Sequence, residues 1–481
     1  MTLVDRASTF LARTAVVDPT ASYTYSQLLD RSAKVATTLL AGQTDLKEDR
    51  IAFLVPPSFG YVALQWGIWR AGGIAVPLCT KHPTPSLRYV IEDTQASAVI
   101  YAEEFEAVLS PLFDTVSTRF LRTEDFGTET SPLPDLESDR RAMILYTSGT
   151  TGRPKGVVTT HANIEAQITA LFDAWQWSQD DRILNILPLH HVHGIINVLS
   201  CALWSGACCV FLPRFSERAV LDVFRRGEVN VFMAVPTIYY KLIAYYDVLT
   251  EVEQEAIRSA LRGFRLMVSG SAALPVSVLE QWRTISGHTL LERYGMTEIG
   301  MAISNPYAGE RRPGYIGQPL PGVDVRLADD GEIQVRGPSV FLEYWARPDA
   351  TAESFTPDGY FHTGDIAVYE QGAYRILGRN SVDIIKSGGY KISALEIEEV
   401  LRTYPGIREC GVVGLPDPEW GEVIGASLIT DSGTLDLDQL TDWLRERLPG
   451  YKLPRRYIFQ DELPRNVMGK VTKQELKQAF A

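Results

Sequence analysis

Apolar side chains recur along this chain in alternating helical and strand-like patterns. A helical pattern covers residues 25–40, and a strand-like apolar run follows at 51–55. A second apolar run, 142–145, predicts a short buried strand. Helices that alternate with strands are typical of α/β proteins with substantial parallel sheet. We therefore predict a large N-terminal region built from layered α/β subdomains.

The pattern changes further along the chain. Residues 195–212 are apolar but interrupted by polar residues and a glycine, which predicts a buried helix and a buried strand rather than a membrane span. Pro236 predicts the start of another helix. Glycines and short β-rich runs at 314–335 predict a β-type subdomain.

The character of the sequence changes again near residue 378. About one hundred residues follow, which is enough for a separately folding unit. Ser393 and Glu396 have the spacing of a capping box, and 437–448 predicts an amphipathic helix after a strand at 410–413. The predicted organisation is an N-terminal domain at 1–378, a hinge at 379–382 and a small α+β C-terminal domain at 383–481.

Composition restricts the class of protein. The 481 residues carry a formal net charge of -13, which argues against nucleic-acid binding but not against local cations around an anionic substrate. Five cysteines without metal-ligand spacing favour a reducing compartment, so we expect a cytoplasmic protein without membrane attachment. The N-terminus has no long apolar core, which argues against a secretory signal, although Arg6 and Arg13 leave a short mitochondrial presequence open.

Residues 146–156 carry the densest chemical signal, Tyr-Thr-Ser-Gly-Thr-Thr-Gly-Arg-Pro-Lys-Gly. Glycines let a backbone approach an anion closely, hydroxyls donate to phosphate oxygens, and cations neutralise charge. The segment therefore predicts a polyphosphate-binding loop whose spacing is not that of the P-loop, with a flexible surface turn as the alternative. The candidate phosphate ligands are Thr147, Ser148, Gly149, Thr150, Thr151, Gly152 and Lys155.

A second motif, Glu-Arg-Tyr-Gly-Met-Thr-Glu at 292–298, carries groups suited to a nucleotide. Glu298 could hold Mg²⁺, which prefers oxygen ligands, and Thr297 could reach a phosphate oxygen. Tyr294 offers a flat face to a purine, with core packing as the alternative. Four further segments stand out: 269–275 (Ser-Gly-Ser-Ala-Ala-Leu-Pro), 363–365 (Thr-Gly-Asp), 378–379 (Gly-Arg) and 464–470 (Pro-Arg-Asn-Val-Met-Gly-Lys).

These six motifs, in this order, resemble those of the adenylate-forming enzymes, which include acyl-CoA synthetases, peptide-synthetase adenylation domains and luciferases. The resemblance covers residues 25–470 and implies a large adenylate-forming domain, a mobile C-terminal domain, and the use of ATP, Mg²⁺ and CoA. The implied catalytic residues are Lys470, Thr297, Glu298 and Lys155, with Glu298 also the metal ligand. Beyond the loop, the implied nucleotide-binding residues are Ser269, Gly270, Ser271, Ala272, Glu292, Tyr294, Gly295, Met296, Asp365 and Arg379.

The resemblance also implies a reaction in two steps. A carboxylate attacks the α-phosphate of ATP, and after rotation of the small domain the CoA thiol attacks the acyl-adenylate. Lys386, Gly388 and Gly389 fall on the loop that lines the CoA channel in this family. The hinge segment is one residue longer than the common pattern, and Ser381 is the favoured pivot. A monomer or a homodimer is expected.

Arg293 indicates which acid is activated. It precedes Tyr294 at the floor of the expected acyl pocket, where a guanidinium facing an apolar tail would be costly. A second carboxylate on the substrate would pair with it, and Lys241 and His193 are further candidates for that contact. In these features the chain resembles the acyl-CoA synthetases that activate malonate and methylmalonate.

The predicted products from malonate, ATP and CoA are malonyl-CoA, AMP and pyrophosphate. One alternative is that Arg293 points outward or pairs with Glu292, in a short- or medium-chain acyl-CoA synthetase of broader specificity. Others are transfer of the acyl group to a carrier protein, and a nucleotide-binding regulatory protein without turnover. The choice between malonate and methylmalonate stays open, because one methyl group is worth only about 1 kcal/mol.

Overall fold

The computed structural model describes residues 3–147, 153–212, 214–431, 433–466 and 469–480. Helices and strands within these ranges are numbered in chain order. The helices α1 to α15 are Leu3–Ala7, Tyr25–Leu40, Phe59–Arg70, Thr84–Thr94, Glu106–Leu109, His161–Ala174, Cys201–Ser205, Glu217–Arg225, Pro236–Asp247, Glu251–Leu261, Val276–Ser286, Pro348–Glu353, Ala394–Leu401, Leu437–Arg445 and Lys473–Gln478. A π-helical segment, His193–Ser200, leads into α7.

The strands fall into four sheets. The strands β1 to β25 are Thr14–Val17, Ser22–Thr24, Arg50–Leu54, Ile74–Pro77, Ala98–Tyr101, Arg119–Arg122, Arg141–Thr147, Lys155–Thr160, Arg182–Asn185, Cys208–Phe211, Val231–Ala234, Leu266–Ser269, Leu291–Met296, Gly300–Ser304, Gln318–Pro319, Asp324–Leu327, Glu332–Arg336, Glu343–Tyr344, Phe361–Glu370, Ala373–Arg379, Ile384–Ser387, Tyr390–Ser393, Ile407–Asp417, Gly421–Thr430 and Arg456–Phe459.

Two large sheets build the N-terminal part. A nine-stranded sheet has the order β15-β14-β13-β12-β11-β9-β10-β1-β2, and a seven-stranded sheet has the order β18-β8-β7-β4-β3-β5-β6. Their central strands are parallel, and antiparallel pairs such as β7–β8 and β13–β14 lie toward one end of each. The largest apolar cluster contains residues from both sheets and from α2, α3, α6 and α7, so these helices pack against both. Close contact of α2 with α3 requires Gly67, where a Cβ would come within 2.3 Å of Val35.

The remaining sheets form smaller units. A four-stranded antiparallel sheet, β16-β17-β19-β20, is the predicted β-type subdomain. The last sheet contains β21–β25 and packs with α13 and α14 around its own apolar core. Between the two lies a turn from Asn380 to Asp383. The predicted α/β fold class with a small α+β C-terminal unit is confirmed, whereas the boundaries at 378 and 383 stay predictions.

Most predicted elements are present, and one local detail differs. The helix at Tyr25–Leu40 and the helix that starts at Pro236 are confirmed. Ser393 caps α13 by accepting from Glu396 N–H at 3.2 Å, but the Glu396 carboxylate binds Lys452 instead of completing the capping box. In the part of the chain that the structure describes, no helix has the length and apolarity to cross a membrane.

Candidate active site

The candidate phosphate loop connects the antiparallel strands β7 and β8. In their register Thr147 lies opposite Lys155, and Tyr146 lies opposite Gly156. A Cβ at position 156 would come within 2.8 Å of the Ile144 side chain, so this pairing favours glycine. The part of the predicted loop outside the described residues comprises Ser148, Gly149, Thr150, Thr151 and Gly152. The backbone at the two ends of the loop, Thr147 and Lys155, is therefore fixed by the sheet.

Tyr344 joins this loop to the motif at 292–298. Its ring centroid lies 4.7 Å from Nζ of Lys155, and its hydroxyl donates to Oε1 of Glu298 at 3.2 Å. Glu298 and Thr297 lie in the tight turn between β13 and β14. Burial raises the pKa of the Glu298 carboxyl, and the Tyr344 hydrogen bond and the charges of Arg379 and Lys155 act against that rise. A buried carboxylate thus faces the cations that border the phosphate loop.

The residues around Glu298 fit a hard cation such as Mg²⁺ that is held mainly by the phosphates of a bound nucleotide. Among the described residues, no group of three or more His, Cys, Asp or Glu side chains could hold a metal ion. Mg²⁺ commonly binds to one or two carboxylates together with the phosphates of a nucleotide and water. Burial disfavours the ionised form of Glu298, and a bound cation would favour it.

Successive residues of β13 face opposite ways, as in any strand. Glu292 accepts from Leu274 N–H at 3.2 Å, and Tyr294 donates its hydroxyl to Oδ2 of Asp365 at 2.7 Å. Burial, with a smaller effect of Glu399, raises the pKa of Glu292 to about 8. At Gly295 a Cβ would come within 2.1 Å of a backbone oxygen, and half-buried Met296 ends the strand.

Asp365 and Arg379 face each other on neighbouring strands. They are register partners in β19 and β20, and Nε of Arg379 donates to Oδ1 of Asp365 at 2.9 Å. Burial lowers the pKa of Arg379, but Asp365 more than offsets this, and the pKa lies above its ordinary value. With Tyr294 on the other oxygen, the Asp365 side chain accepts hydrogen bonds from two sides.

Arg293 is buried, and no counter-ion faces it in the part of the chain that the structure describes. Its side chain is 3% exposed, and Nε and Nη2 have no hydrogen-bond partner among the described residues. Burial lowers its pKa to about 9, so the guanidinium is charged at neutral pH. Gly270 makes room for it, because a Cβ there would come within 2.5 Å of Cζ of Arg293. Arg293 therefore neither points outward nor pairs with Glu292, which binds Leu274.

His193 and Ser271 lie close to this guanidinium. Nδ1 of His193, at the start of the π-helical segment, is 3.1 Å from Oγ of Ser271, whose φ is +69°. Burial, then the charges of Arg293 and Lys470, holds the pKa of His193 well below its usual range, so the imidazole is neutral. Nε2 of His193 and the hydroxyl of Ser269 have no partner among the described residues, and Ala272 beyond them is exposed. Polar atoms that lack a partner among the described residues thus lie close to Arg293.

Lys241 lies on the exposed face of α9, and its contact with the substrate carboxylate stays a prediction. Lys241 is exposed, with its Nζ 5.8 Å from the Phe215 ring centroid. Tyr239 faces the core, where its hydroxyl donates to the Val268 carbonyl at 2.9 Å. Two residues later on an α-helix a side chain has turned by about 200°, so Lys241 points away from the core.

Lys470 reaches the site from the C-terminal unit. Asn466 Oδ1 accepts from Lys470 N–H at 3.1 Å, and Gly469 packs against Thr237 at the start of α9. The Lys470 side chain retains solvent access, but partial burial lowers its pKa. The positive charges of Arg379 and Arg293 lower this pKa further, and the charge of Asp365 opposes the effect. The Lys470 amine is therefore close to both the Asp365–Arg379 pair and Arg293.

The predicted CoA-binding residues lie on the surface of the C-terminal unit. Gly388 and Gly389, with φ of +55° and +84°, form the turn between β21 and β22, and Lys386 is exposed beside it. Gly388 packs on Trp420, whose ring would be 2.8 Å from a Cβ at that position. Ser381, the predicted pivot, is exposed in the turn after β20.

The sequence places the chain in a known family. The family described as AMP-binding enzyme matches residues 3–345, and the one described as AMP-binding enzyme C-terminal domain matches residues 396–470. The chain therefore belongs to the AMP-binding enzyme family. The resemblance to adenylate-forming enzymes that the motifs indicated is confirmed.

Similar proteins within the family have names that specify a substrate. The chain is 46% identical to the mitochondrial malonate–CoA ligase ACSF3 of Xenopus laevis, over 98% of this chain and 90% of the relative. It is 40% identical to the malonate–CoA ligase of Arabidopsis thaliana, over 98% and 87% respectively. The crystal structure of ATP-bound MatB from Rhodopseudomonas palustris is similar, with a TM-score of 0.91, 33% identity, and coverage of 100% of this chain and 99% of that one.

Sequence reasoning missed two residues of this site. Tyr344 bridges Lys155 and Glu298, yet it comes from a two-residue strand that pairs with β8. Thr237 supports the loop before Lys470. Neither lies in a recognisable motif, and only the pairing of distant segments brings them to the site.

Proposed function

We propose that this protein is an AMP-forming ligase that converts malonate, ATP and CoA to malonyl-CoA, AMP and pyrophosphate. The observation that carries the proposal is Arg293, a buried guanidinium that lies beside polar His193 and Ser271 and has no counter-ion within the described ranges. A dicarboxylate can present one carboxylate to ATP and the other to Arg293. The names of the relatives support the same substrate.

In the first half-reaction, a malonate oxygen attacks the α-phosphorus of ATP and pyrophosphate leaves. Asp365 and Arg379 would hold the ribose, and Thr147, Lys155 and the loop between them would hold the leaving phosphates. Lys470 would counter the charge that develops between the carboxylate and the α-phosphate. Mg²⁺ bound at Glu298 would neutralise the pyrophosphate during its departure.

In the second half-reaction, the CoA thiol attacks the carbonyl of malonyl-AMP and displaces AMP. The C-terminal unit would turn about the segment 379–382, with Ser381 as pivot, so that Lys470 leaves. The loop with Lys386, Gly388 and Gly389 would then line the path of the CoA thiol. Exposure of this loop while Lys470 faces the site is consistent with two alternating orientations.

The surroundings of the protein are part of the proposal. The five cysteines are all buried and free, which suits a reducing compartment such as the cytoplasm, although the animal relatives carry mitochondrial in their names. A monomer or homodimer would suffice, since the residues discussed for the site come from one chain.

Pyrophosphate release over a panel of acids tests the proposal. The panel contains acetate, malonate, methylmalonate, succinate and octanoate, with the wild type and Arg293→Ala. We expect malonate or methylmalonate to be preferred, and Arg293→Ala to lower kcat/KM for malonate by roughly ten- to a hundredfold. Exposed Arg262, replaced by alanine, is the matched control.

Four results would contradict the proposal. Preference for octanoate or acetate would indicate the broader acyl-CoA synthetase. Unchanged malonate activity in Arg293→Ala would show that the Arg293 guanidinium does not bind the substrate. Release of pyrophosphate without formation of an acyl-CoA would point to a carrier protein as acceptor, and no turnover with any acid would point to a regulatory nucleotide-binding protein.

A further inference from the structure

A glutamate of the C-terminal unit caps a helix of the N-terminal part. Oε2 of Glu399, on α13, accepts from the backbone N–H of Val276 at 3.0 Å. Val276 is the first residue of α11, and the preceding Pro275 supplies no side-chain cap. The first N–H groups of a helix lack partners within the helix, and a carboxylate is favoured there by the helix dipole.

The orientation of Glu399 is fixed from inside its own unit. Arg402 donates to Oε1 of Glu399 at 2.8 Å and to Oε2 of Glu398 at 3.1 Å. Glu398 is buried, accepts from Val412 N–H at 2.8 Å, and is paired with Lys473. The half-buried Glu399 carboxylate is therefore part of a hydrogen-bonded network rather than a free surface side chain.

The same network reaches the turn that joins the two units. Nζ of Lys473 lies 3.7 Å from Asp383, and Oδ2 of Asp383 accepts from Arg379 N–H at 3.1 Å. On the N-terminal side of the capped helix, Pro275 joins α11 to Leu274, whose N–H donates to Glu292. Glu399 thus links the connecting turn with the segment that carries the residues around Arg293.

We propose that Glu399 is a positioning residue that holds the C-terminal unit in the adenylating orientation. Its bond to Val276 keeps Lys470 at the site while acyl-AMP forms, and it breaks when the unit turns to admit CoA. This inference rests on the two half-reactions of the proposed function. The helix cap between the two units thereby controls which half-reaction the enzyme performs.

Two variants break the bond from opposite sides. Glu399→Ala removes the acceptor. Val276→Pro removes the donor, and proline suits this position because it is the first of the helix and because Pro275, with φ -58° and ψ 133°, already has the conformation required before a proline. Glu396→Ala is the matched control, since Glu396 lies on the same helix but binds Lys452 within its own unit.

Each half-reaction is measured separately, as pyrophosphate release from malonate and ATP without CoA, and as malonyl-CoA formation from supplied malonyl-AMP. We expect Glu399→Ala and Val276→Pro each to slow the first step about tenfold and to leave the second within about twofold. The double variant should be no slower than the single variants, because both substitutions break the same hydrogen bond, the one between Glu399 and Val276. Glu396→Ala should leave both steps unchanged. Equal loss in both steps, or additive effects of the two variants, would overturn the proposal.

A measurement without any acid separates this proposal from the function on which it rests. Because all five native cysteines are buried, Val252→Cys and Glu446→Cys allow specific dye labelling on the two units. We expect Glu399→Ala to shift the energy-transfer distribution of the protein with ATP alone. If the wild type does not use malonate, the proposed function fails. The shift in energy transfer still tests whether the Glu399–Val276 bond holds the C-terminal unit in place. An unchanged distribution would overturn the cap, whatever the substrate.

Discussion

Tyr294 and Asp365 are joined by a hydrogen bond of 2.7 Å from the phenol to Oδ2 of the carboxylate. Arg379 holds the other oxygen at 2.9 Å, so the carboxylate is fixed before any nucleotide arrives. This matters because two ribose hydroxyls can bind one carboxylate only when both its oxygens face them. The bond thus connects β13 to the β-type subdomain at the point where we propose that the ribose binds.

Tyr294→Phe should weaken ATP binding while the chemical step continues. Without the phenol, Asp365 keeps only Arg379 and must be ordered by the nucleotide itself. We expect KM for ATP to rise about three- to tenfold, with kcat for pyrophosphate release changed less. Tyr315→Phe is the control, because its hydroxyl donates to the half-exposed Glu370. An unchanged KM for ATP would remove this bond from nucleotide binding.

Gly270→Ala should act on malonate through Arg293. The added Cβ would lie 2.5 Å from Cζ of Arg293, which must move. We expect KM for malonate to rise by roughly tenfold or more, with a smaller change in KM for ATP. Gly450→Ala is a suitable control, since a Cβ there has open space. Equal changes in both KM values would mean that the substitution disturbs the whole site.

Tyr344→Phe should make catalysis more sensitive to acid. The variant keeps the ring over Lys155 but loses the hydrogen bond to Glu298, which acts against the rise of the Glu298 pKa. The pKa therefore rises further, and the ionised carboxylate forms only at higher pH. We expect the acidic limb of kcat/KM for ATP to move upward by up to about one pH unit, and half-saturation to require more Mg²⁺. An acidic limb at the same pH as in the wild type would contradict a role of Glu298 in metal binding.

Glu292→Gln should remove a pH-dependent penalty on stability. Burial raises the pKa of Glu292 to about 8, so the folded protein holds a proton that the unfolded chain releases from about pH 4.5 upward. Because the folded state binds more protons in this window, stability falls as pH rises from about 4.5 to 8. Urea unfolding should show the variant gaining up to a few kcal/mol on the wild type across that window. A constant difference between the two would contradict the raised pKa.

Periodicity and motifs predicted much of the fold, because the signals are local. The helix at Tyr25–Leu40 matches its sequence pattern, and the strands before the phosphate loop and around 410–413 lie where apolar runs predicted them. Arg293 was identified because it sits inside a motif. These elements depend on residues that are neighbours in the chain.

Features that the sequence did not predict depend on long-range packing. The exposure of Lys241 is one of them, because the face of α9 that turns inward is set by Tyr239 and the core behind it. Glu396 had the spacing of a capping box, and Lys452, far along the chain, binds it instead. Tyr344 carries no signal because its position depends on the pairing of β18 with β8.

The alternation along β13 has a consequence for how such enzymes diversify. Glu292 and Tyr294 bond to one set of partners, while Arg293 between them lies against Gly270. Under the proposed function, recognition of the nucleotide and selection of the acid would occupy adjacent codons yet opposite faces of one strand. A substitution at 293 would then leave the Tyr294–Asp365 hydrogen bond in place, whereas an insertion of one residue would exchange the two faces.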